Sequence, residues 1–484
     1  MRILIADLPW RGKKYAGRAG MRWAHTSNKE PVVSFRPFPF YLACTAAMLE
    51  QAGHQVKVVD ALAEGLDDRR FFSRVAHFNP DYILAETHTP SYNNDRQYAA
   101  ELKRLTGAKF VFAGPHATAL PQQVLKENPA VDYVLVGEYE HLMARLVEEK
   151  PKRSVLWSHE PVDINTIPWP ARHLFRMELY NEVFCREYPN LQMMASRGCF
   201  YRCSYCNIHL MNGGHIHRPR KAEDVIAEMK YCIATYKPKE LYFDDDCING
   251  TPKALEAWLD LKIKEGIDIP FTAMGHVAIS EKLLEKMAQA GCVGLKFGVE
   301  SADNDVLRRL KKGITIEQVI KTVSICKRLG IRTHLTYAIG LPGDTEETVR
   351  KTIDFAKRYG DHYQISMAAP FPGTELYEEA KREGWLNFRS WNDFDGMKDA
   401  IVNYPHLSSR RLYELYSEGQ ASTYRKVFDR GEWLKYLKMI YKERGAAGIA
   451  KLAFVRAPGI LKEAFFTKRK SGQRKTGREG KTGR

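Results

Sequence analysis

Two runs of alternating apolar and amphipathic segments organise the chain. Over residues 1–150, short apolar runs read as strands: RILIAD (2–7), QVKVVD (55–60), YILAET (82–87), KFVFAG (109–114) and DYVLVG (132–137). Between them FYLACTAAMLEQAG, RRFFSRVAHF, NDRQYAAELKRLTG, LPQQVLKEN and EHLMARLVEE carry apolar residues at helical spacing. Strands that are apolar along most of their length are buried on both faces, so this rhythm predicts a doubly wound parallel sheet covered by helices. Residues 151–190, punctuated by Pro161, Pro168 and Pro170, hold no sustained period and read as a linker. A second alternation fills 191–380, with strands in LQMMAS, ELYFDDD, PFTAMG, GLKFGVES, RTHLTYAIG and YQISMAA. Six βα units predict a partial (β/α)6 barrel. Residues 381–466 read as a helical, aromatic region, and 467–484 as a disordered basic tail.

Composition sets bounds on this α/β chain. With 44% apolar and 27% charged residues it reads as a soluble protein of two or three domains. No run reaches the ~18–20 uncharged apolar residues of a membrane helix. MRILIADLPW lacks the layout of a signal peptide, so a cytoplasmic location is expected, where the nine cysteines stay reduced. The net charge of +16 is uneven: TKRKSGQRKTGREGKTGR (467–484) has eight Lys/Arg against one Glu. Such a tail either solubilises the chain or draws it to an anionic surface. In Gly431–Phe466, Trp433, Leu434, Leu437, Ile440 and Tyr441 fall at helical spacing with Lys and Arg between them. That pattern fits a helix packed on the barrel, or peripheral membrane contact and a lipid substrate.

The densest chemistry lies in SRGCFYRCSYC (196–206), where Cys199, Cys203 and Cys206 are spaced C-x3-C-x2-C. A closed structural zinc site takes four ligands, and His209, His215 and His217 downstream are candidates to complete one. The other reading is a 4Fe-4S cluster: four thiolates suit pure electron transfer, whereas three leave one iron open to a ligand.

CFYRCSYC, after LQMMAS, resembles the signature of the radical S-adenosylmethionine (SAM) enzymes, in which an aromatic, here Tyr205, precedes the third cysteine. The resemblance implies a 4Fe-4S cluster on the three cysteines and SAM on the open iron. GLKFGVES resembles the family's ribose-contacting segment and brings in Glu300 and Ser301. THLTYAIGLPGDTEE resembles the strand that contacts adenine and the methionyl end, with Gly340 and Pro342; PFPGTELY closes the core. FDDD (243–246) stands where many members carry Gly-Gly-Glu at the SAM amino group, which assigns Asp244 and Asp245 there without the glycine pair.

The first half is similar to the Rossmann-like cobalamin-binding domain of the cobalamin-dependent subclass. FPFYLACTAAMLEQAGHQVKVVDA, GPHAT and GEYE carry the likeness. Ligands of such sheets bind beyond the carboxyl ends of the strands. There the resemblance places Pro9, Thr89, Ser91, Gly114, Pro115, His116, Gly137 and Glu138 as cobalamin contacts. The first loop, DLPWRGKK, lacks the Asp-x-His-x-x-Gly that supplies an axial histidine in cobalamin mutases. The implied activity is radical cleavage of SAM and methylation of an unactivated carbon in a small-molecule or lipid substrate. An external donor such as flavodoxin or ferredoxin supplies the electron.

Plainer readings stand beside these. Asp244–Asp246 also fit a solvated strand end, and Glu300 a surface pair with Arg308 or Arg309. His116, Glu138 and His88 fit loop polarity; His276 and Tyr337 point to the barrel mouth by strand position, where packing is the alternative. Cys232 and Cys247 have no partner at metal spacing and read as buried thiols. Two rival functions are a radical rearrangement or oxidative cyclisation on the same architecture, and a non-catalytic metal-cluster protein binding RNA through its tail. No RNA-recognition module is evident, so no specific nucleic acid is expected.

Overall fold

The structure is a computed structural model. It describes residues 1–13, 15–19, 23–27, 35–158, 160–429, 441 and 446. The basic tail and nearly all of the predicted amphipathic helix in 431–466 lie outside the described residues. Residues 1–30 and 35–426 form one compact unit holding two six-stranded parallel sheets. Among the described residues no helix is long and apolar enough to cross a membrane.

The first sheet comprises β1 (Arg2–Asp7), β2 (Gln55–Asp60), β3 (Tyr82–Glu86), β4 (Lys109–Ala113), β5 (Tyr133–Val136) and β6 (Val155–Trp157), in the order β2-β1-β3-β4-β5-β6. Side-chain alternation explains its apolar runs. Ile3, Ile5, Leu84 and Val111 pack on the helices Phe40–Gln51 and Glu140–Glu149. Leu4, Ile83, Phe110 and Phe112 pack on Asp68–Phe78 and Tyr92–Thr106. Strand β6 was not predicted. It comes from the expected linker, and three residues at a sheet edge are too few to show a period. The order reverses between β1 and β3, opening the crevice where doubly wound sheets take ligands.

The second sheet follows chain order: β7 (Asn190–Met193), β8 (Glu240–Phe243), β9 (Phe271–Gly275), β10 (Cys292–Glu300), β11 (Arg332–Ile339) and β12 (His362–Met367). It curves as an open barrel under an outer layer of helices. Their starts are fixed chemically: Thr315 and Thr345 open capping boxes with Gln318 and Thr348. Along β11, Leu335, Tyr337 and Ile339 join the core under those helices, while His334, Thr336 and Ala338 take the other face. Tyr337 therefore does not point to the barrel mouth as expected: its ring lies 6.4 Å from Phe355 on the outer helix Glu346–Arg358. The strand's period of two assigns it to that face.

Two charged knots fasten the linker and the cysteine loop. Arg172, in the linker, and Arg220 both pair with Glu228 on the helix Ala222–Tyr236; Arg172 also donates to Gln192 O on β7 at 3.1 Å. Arg197 pairs with Glu138 (3.1 Å) and Glu140 (2.7 Å), and Arg218 with Glu138 (2.6 Å). Beyond the barrel the expected helical region departs from prediction. Residues 383–408 are largely irregular, tied by bridges between Leu386 and Val402 and between Tyr404 and Leu407, before a helix at Ser409–Asp429. Aromatic packing replaces helical repeat here: Phe388, Trp391 and Phe394 have ring centroids within 5.4 Å of one another.

Two stability predictions follow from the buried charges. Removing Glu228 leaves buried Arg172 without a carboxylate and Arg220 with Asp224 alone, so Glu228→Ala is expected to lower unfolding free energy by about 3–5 kcal/mol in denaturant titration. A loss below about 1 kcal/mol would mean that the knot is solvent-screened. The second concerns pH. Burial holds His116 and His276 down to about 3 and His217 to about 4, and pushes His334 well below its ordinary range. Burial pushes Asp245 up to about 7 and Asp344 to about 6. Near pH 5 folding releases protons from the four histidines and takes up protons on the two carboxyls. Net release makes stability rise with pH, at roughly 3 kcal/mol per unit for these groups alone. From about pH 6.5 upward the histidine contribution fades as the unfolded imidazoles lose their protons, while Asp245 still titrates with opposite sign. The denaturation midpoint is expected to climb from pH 4.5 to 6.5 and then flatten; a midpoint that falls across that window contradicts the assignment.

Candidate active site

The cysteine loop leaves β7 through a short antiparallel pair, Ser196–Gly198 against His217–Pro219. Gly198 sits at φ +81, and a Cβ there would stand 2.2 Å from Ile216 O, so only glycine fits. The loop is clamped from both sides: Ser204 N donates to Leu310 O (3.0 Å), and Leu376 N donates to Ser204 O (2.9 Å). Tyr201 stacks on His276 at 3.7 Å and on Phe200 at 4.4 Å; Phe200 itself is exposed. His276 thus lies against the loop, on the mouth side as expected. Burial pushes the Cys206 thiol up to about 12, and that of Cys203 upward. Such thiols become ligands when metal charge replaces their protons.

Among the described residues no three His, Cys, Asp or Glu side chains converge as for a single ion. The histidines weighed for zinc have other partners. His215 Nδ1 lies 3.0 Å from Tyr201 O, His217 Nδ1 lies 2.8 Å from Thr251 Oγ1, and His209 stacks on His215. Three cysteines on one loop suit a cluster better, because each thiolate there binds a different iron.

The aspartates support this loop. Asp245, fully buried, accepts from Ala195 N at 3.2 Å and from the Ser196 hydroxyl, and Asp246 accepts from Gly198 N at 2.9 Å. Asp244 N donates to Met193 O at 2.8 Å. The run is therefore not a solvated strand end; Asp245 and Asp246 brace the approach to Cys199. Glu300 ends β10 at φ +69, where the register with β11 shifts. Its Oε1 accepts from Tyr205 Oη (2.9 Å) and Lys312 Nζ (2.8 Å), and Lys312 also reaches Tyr205 Oη at 2.9 Å. The pairing with Arg308 or Arg309 does not form: those guanidiniums bind Asp305 and Glu379. Ser301 is buried, and its hydroxyl accepts from Asp303 N at 3.2 Å. Gly340 N donates to Asp344 Oδ2 at 3.0 Å, Tyr404 donates to Gly340 O at 2.9 Å, and Pro342 is buried beside them.

At the carboxyl ends of the first sheet the expected residues cluster. Asn94, on the helix Tyr92–Thr106, donates to Pro9 O (2.8 Å), tying the loop after β1 to that helix. Gly114, at φ +95, brings its α-carbon against Thr87, where a Cβ would meet the carbonyl oxygen at 3.0 Å. Pro115 and His116 open the short helix that follows, and Gly137 N donates to Thr118 Oγ1 at 3.1 Å. Ser91 donates to Asp95 at 2.5 Å. His116 Nδ1 pairs with Thr89 Oγ1 at 3.2 Å, while its buried Nε2 has no hydrogen-bond partner among the described residues. That orphaned nitrogen at a ligand crevice fits a bound polar cofactor. Glu138 differs from expectation: its carboxylate is committed to Arg197 and Arg218.

Three neighbours were missed in the sequence. Trp391 lies 5.1 Å from His116, held by Asn93 Nδ2 donating to Ser390 Oγ (2.9 Å) and Asn392 Oδ1 (3.0 Å). Arg197 and Lys312 carry no spacing signal. Cys247, buried as expected, follows the aspartates that brace the cysteine loop, and its thiol lies 3.7 Å from Asn249 Oδ1.

Comparison with known proteins agrees with this geometry. The radical SAM superfamily profile matches residues 193–356, and the B12 binding domain profile matches 32–147. An uncharacterised methyltransferase of Pyrococcus horikoshii is 32% identical over 409 residues, covering 80% of this chain and 87% of that protein. Cytidylyl-2-hydroxyethylphosphonate methyltransferase of Streptomyces wedmorensis is 25% identical, covering 76% and 83%. In fold, the chain is similar to the radical SAM methyltransferase TsrM of Kitasatospora setae, solved with cobalamin and a 4Fe-4S cluster. The TM-score is 0.63, at 18% identity over 80% of this chain and 79% of that one. With both domains matched and the whole architecture shared, the chain belongs to the cobalamin-dependent radical SAM methyltransferases, enzymes that work with a 4Fe-4S cluster, SAM and cobalamin.

Proposed function

We propose that the enzyme transfers a methyl group to an unactivated carbon of a small organic substrate. The observation that carries this reading is the Arg197 knot. Glu138, beside the cobalamin-side residue Gly137, is ion-paired to a guanidinium two residues before Cys199. Two cofactor sites joined so closely suit one reaction that needs both at one carbon. When bound, the cluster and SAM supply one-electron chemistry, and cobalamin supplies methyl-carrier chemistry.

The protein's part is holding and orienting. Cys199, Cys203 and Cys206 are the metal ligands. Glu300 keeps Oε2 for ribose hydroxyls, because Tyr205 and Lys312 both occupy Oε1. Lys312 offsets that charge beside the cysteine loop, and Asp344 tightens the Gly340–Pro342 turn that would hold SAM. Tyr205, Asp244 and Ser301 complete the shell around it, with Asp245 holding the loop from behind. Pro9, Thr89, Ser91, Gly114, Pro115, His116 and Gly137 line the cobalamin side. His116, kept neutral by burial, offers Nε2 as a hydrogen-bonding atom rather than a charge. Exposed Phe200 gives an external flavodoxin or ferredoxin an approach to the cluster loop. The lipid alternative rests on 431–466, nearly all outside the described residues, whereas the polar pair Thr336 and Gln364, side by side on β11 and β12, supports a small polar substrate.

Product analysis tests the reaction. With SAM carrying a deuterated methyl group, the product is expected to gain that labelled group, and Cys199→Ala, Cys203→Ala or Cys206→Ala to abolish both product and SAM cleavage. An unlabelled product with a new ring would replace methylation by cyclisation. Glu300→Gln tests the ribose contact. It weakens a charge-assisted hydrogen bond, so the Kd for SAM is expected to rise about tenfold, ~1.4 kcal/mol, at unchanged iron content. An unchanged Kd would remove Glu300 from the SAM site.

A further inference from the structure

The linker also closes the amino-terminal end of the barrel. Residues 182–187 are held there by the first residue of three strands. Asn190 Oδ1 on β7 accepts from Glu182 N (2.8 Å), and Glu240 Oε2 on β8 accepts from Arg186 N (2.6 Å) and Glu187 N (2.8 Å). The Arg332 guanidinium on β11 donates to Phe184 O. Glu182 Oε1 accepts from Phe184 N (2.8 Å), and its Oε2 pairs with Lys296 Nζ on β10 (2.7 Å). The Phe184 ring thereby stands inside the barrel. It is 5% exposed, and its centroid lies 5.2 Å from His334 and 5.6 Å from His362. A Cβ on Gly294 would stand 3.1 Å from its Cε1.

Above the ring the barrel is hollow. On β10–β12 the inward Lys296, His334, Thr336 and Gln364 are half-buried or exposed, whereas the outward Phe297, Leu335 and Ile365 are buried. A closed barrel fills its interior with side chains, so an interior wetter than the exterior marks a chamber. Two residues above Lys296, a rise of roughly 7 Å, Glu300 Oε1 covers Gly298. Glu182 takes one of the three N–H donors of Lys296, which leaves two for another acceptor. We propose that Phe184 is the floor of the substrate chamber and sets its depth, restricting the enzyme to a compact substrate whose buried end carries an oxygen acceptor for Lys296. This rests on the reading of the barrel as the place of methyl transfer. A substrate reaching deeper would have to displace the ring, and with it a segment tied to four strands. The chamber fills from the mouth or from the flank beside Gln364.

Thiol labelling of the cluster-loaded enzyme tests the floor without the substrate. In Phe184→Cys the new thiol is expected to react with 2-sulfonatoethyl methanethiosulfonate, a polar reagent that travels through water, while native Cys185 beside it, 1% exposed, stays unmodified. Fragment-ion mass spectrometry reads the two sites separately, and saturating SAM is expected to slow the reaction at position 184. A new thiol as inert as Cys185 overturns the proposal. Should Phe184→Cys fail to fold, the wild type decides: diethyl pyrocarbonate, which acylates neutral imidazole, is expected to modify His334, and full protection of that ring overturns the hollow chamber. The sulfonate also probes Lys296. Its rate relative to neutral methyl methanethiosulfonate is expected to fall about tenfold when Lys296→Met and Glu182→Gln are added to Phe184→Cys; an unchanged ratio removes the acceptor contact. In the deuterated-methyl assay, Phe184→Ala is expected to yield labelled products that the wild type does not make, and an identical product set overturns its part in specificity. Products without the labelled methyl from wild type and variant alike would fail the methyl-transfer reading alone, with the thiol result still deciding the floor.

Discussion

Arg197 is buried with its guanidinium over the Tyr41 ring at 4.2 Å, and its position depends on two carboxylates from the other sheet. Desolvating that charge is costly, and the attraction of Glu138 and Glu140 offsets the cost only at short range. Burial pushes the Glu140 carboxyl upward while Arg197 pulls it back. With Arg218 the knot balances two positive against two negative groups. Such an arrangement contributes little net stability compared with apolar packing, but it has one satisfactory geometry. A shift of the barrel by one residue against the first sheet would strand at least one buried charge. The spacing between the cysteine loop and the crevice of the first sheet is set in this way.

The same economy of buried charge recurs at Glu300. A non-glycine residue in the left-handed region carries strain of order 1–3 kcal/mol and persists where its surroundings hold it. Here Tyr205 and Lys312 both hold Oε1, and the register shift with β11 turns the carboxylate toward the cysteine loop. The aromatic that precedes the third cysteine thus has a second use besides packing: it anchors the residue proposed to receive the ribose.

Much of the fold was legible because it is written in periods. Eleven of the twelve strands of the two parallel sheets announce themselves as apolar runs between helical patterns, and the cysteine motif is local in sequence. What escaped is either short or depends on pairing across long separations. Val155–Trp157 has no room for alternation. Tyr337 faces the helices because of its parity along β11, which a strand's existence alone does not fix. Glu138 looks like a loop residue until Arg197, 59 positions away, is known to bind it. Lys312 acquires meaning only from what lies beside it. The irregular stretch 383–408 packs through aromatic contacts, which leave no periodic trace.

Trp391 bears on how the protein is made. The six strands of the first sheet are all synthesised by residue 157, yet the ring that lies against His116 arrives 234 residues later. During translation that face of the sheet is complete in backbone but still uncovered. Its cover is held by hydrogen bonds from Asn93 to a segment that follows the whole barrel in the chain. The order of synthesis therefore leaves the crevice open until the barrel has emerged, and its closure marks the end of assembly rather than the beginning.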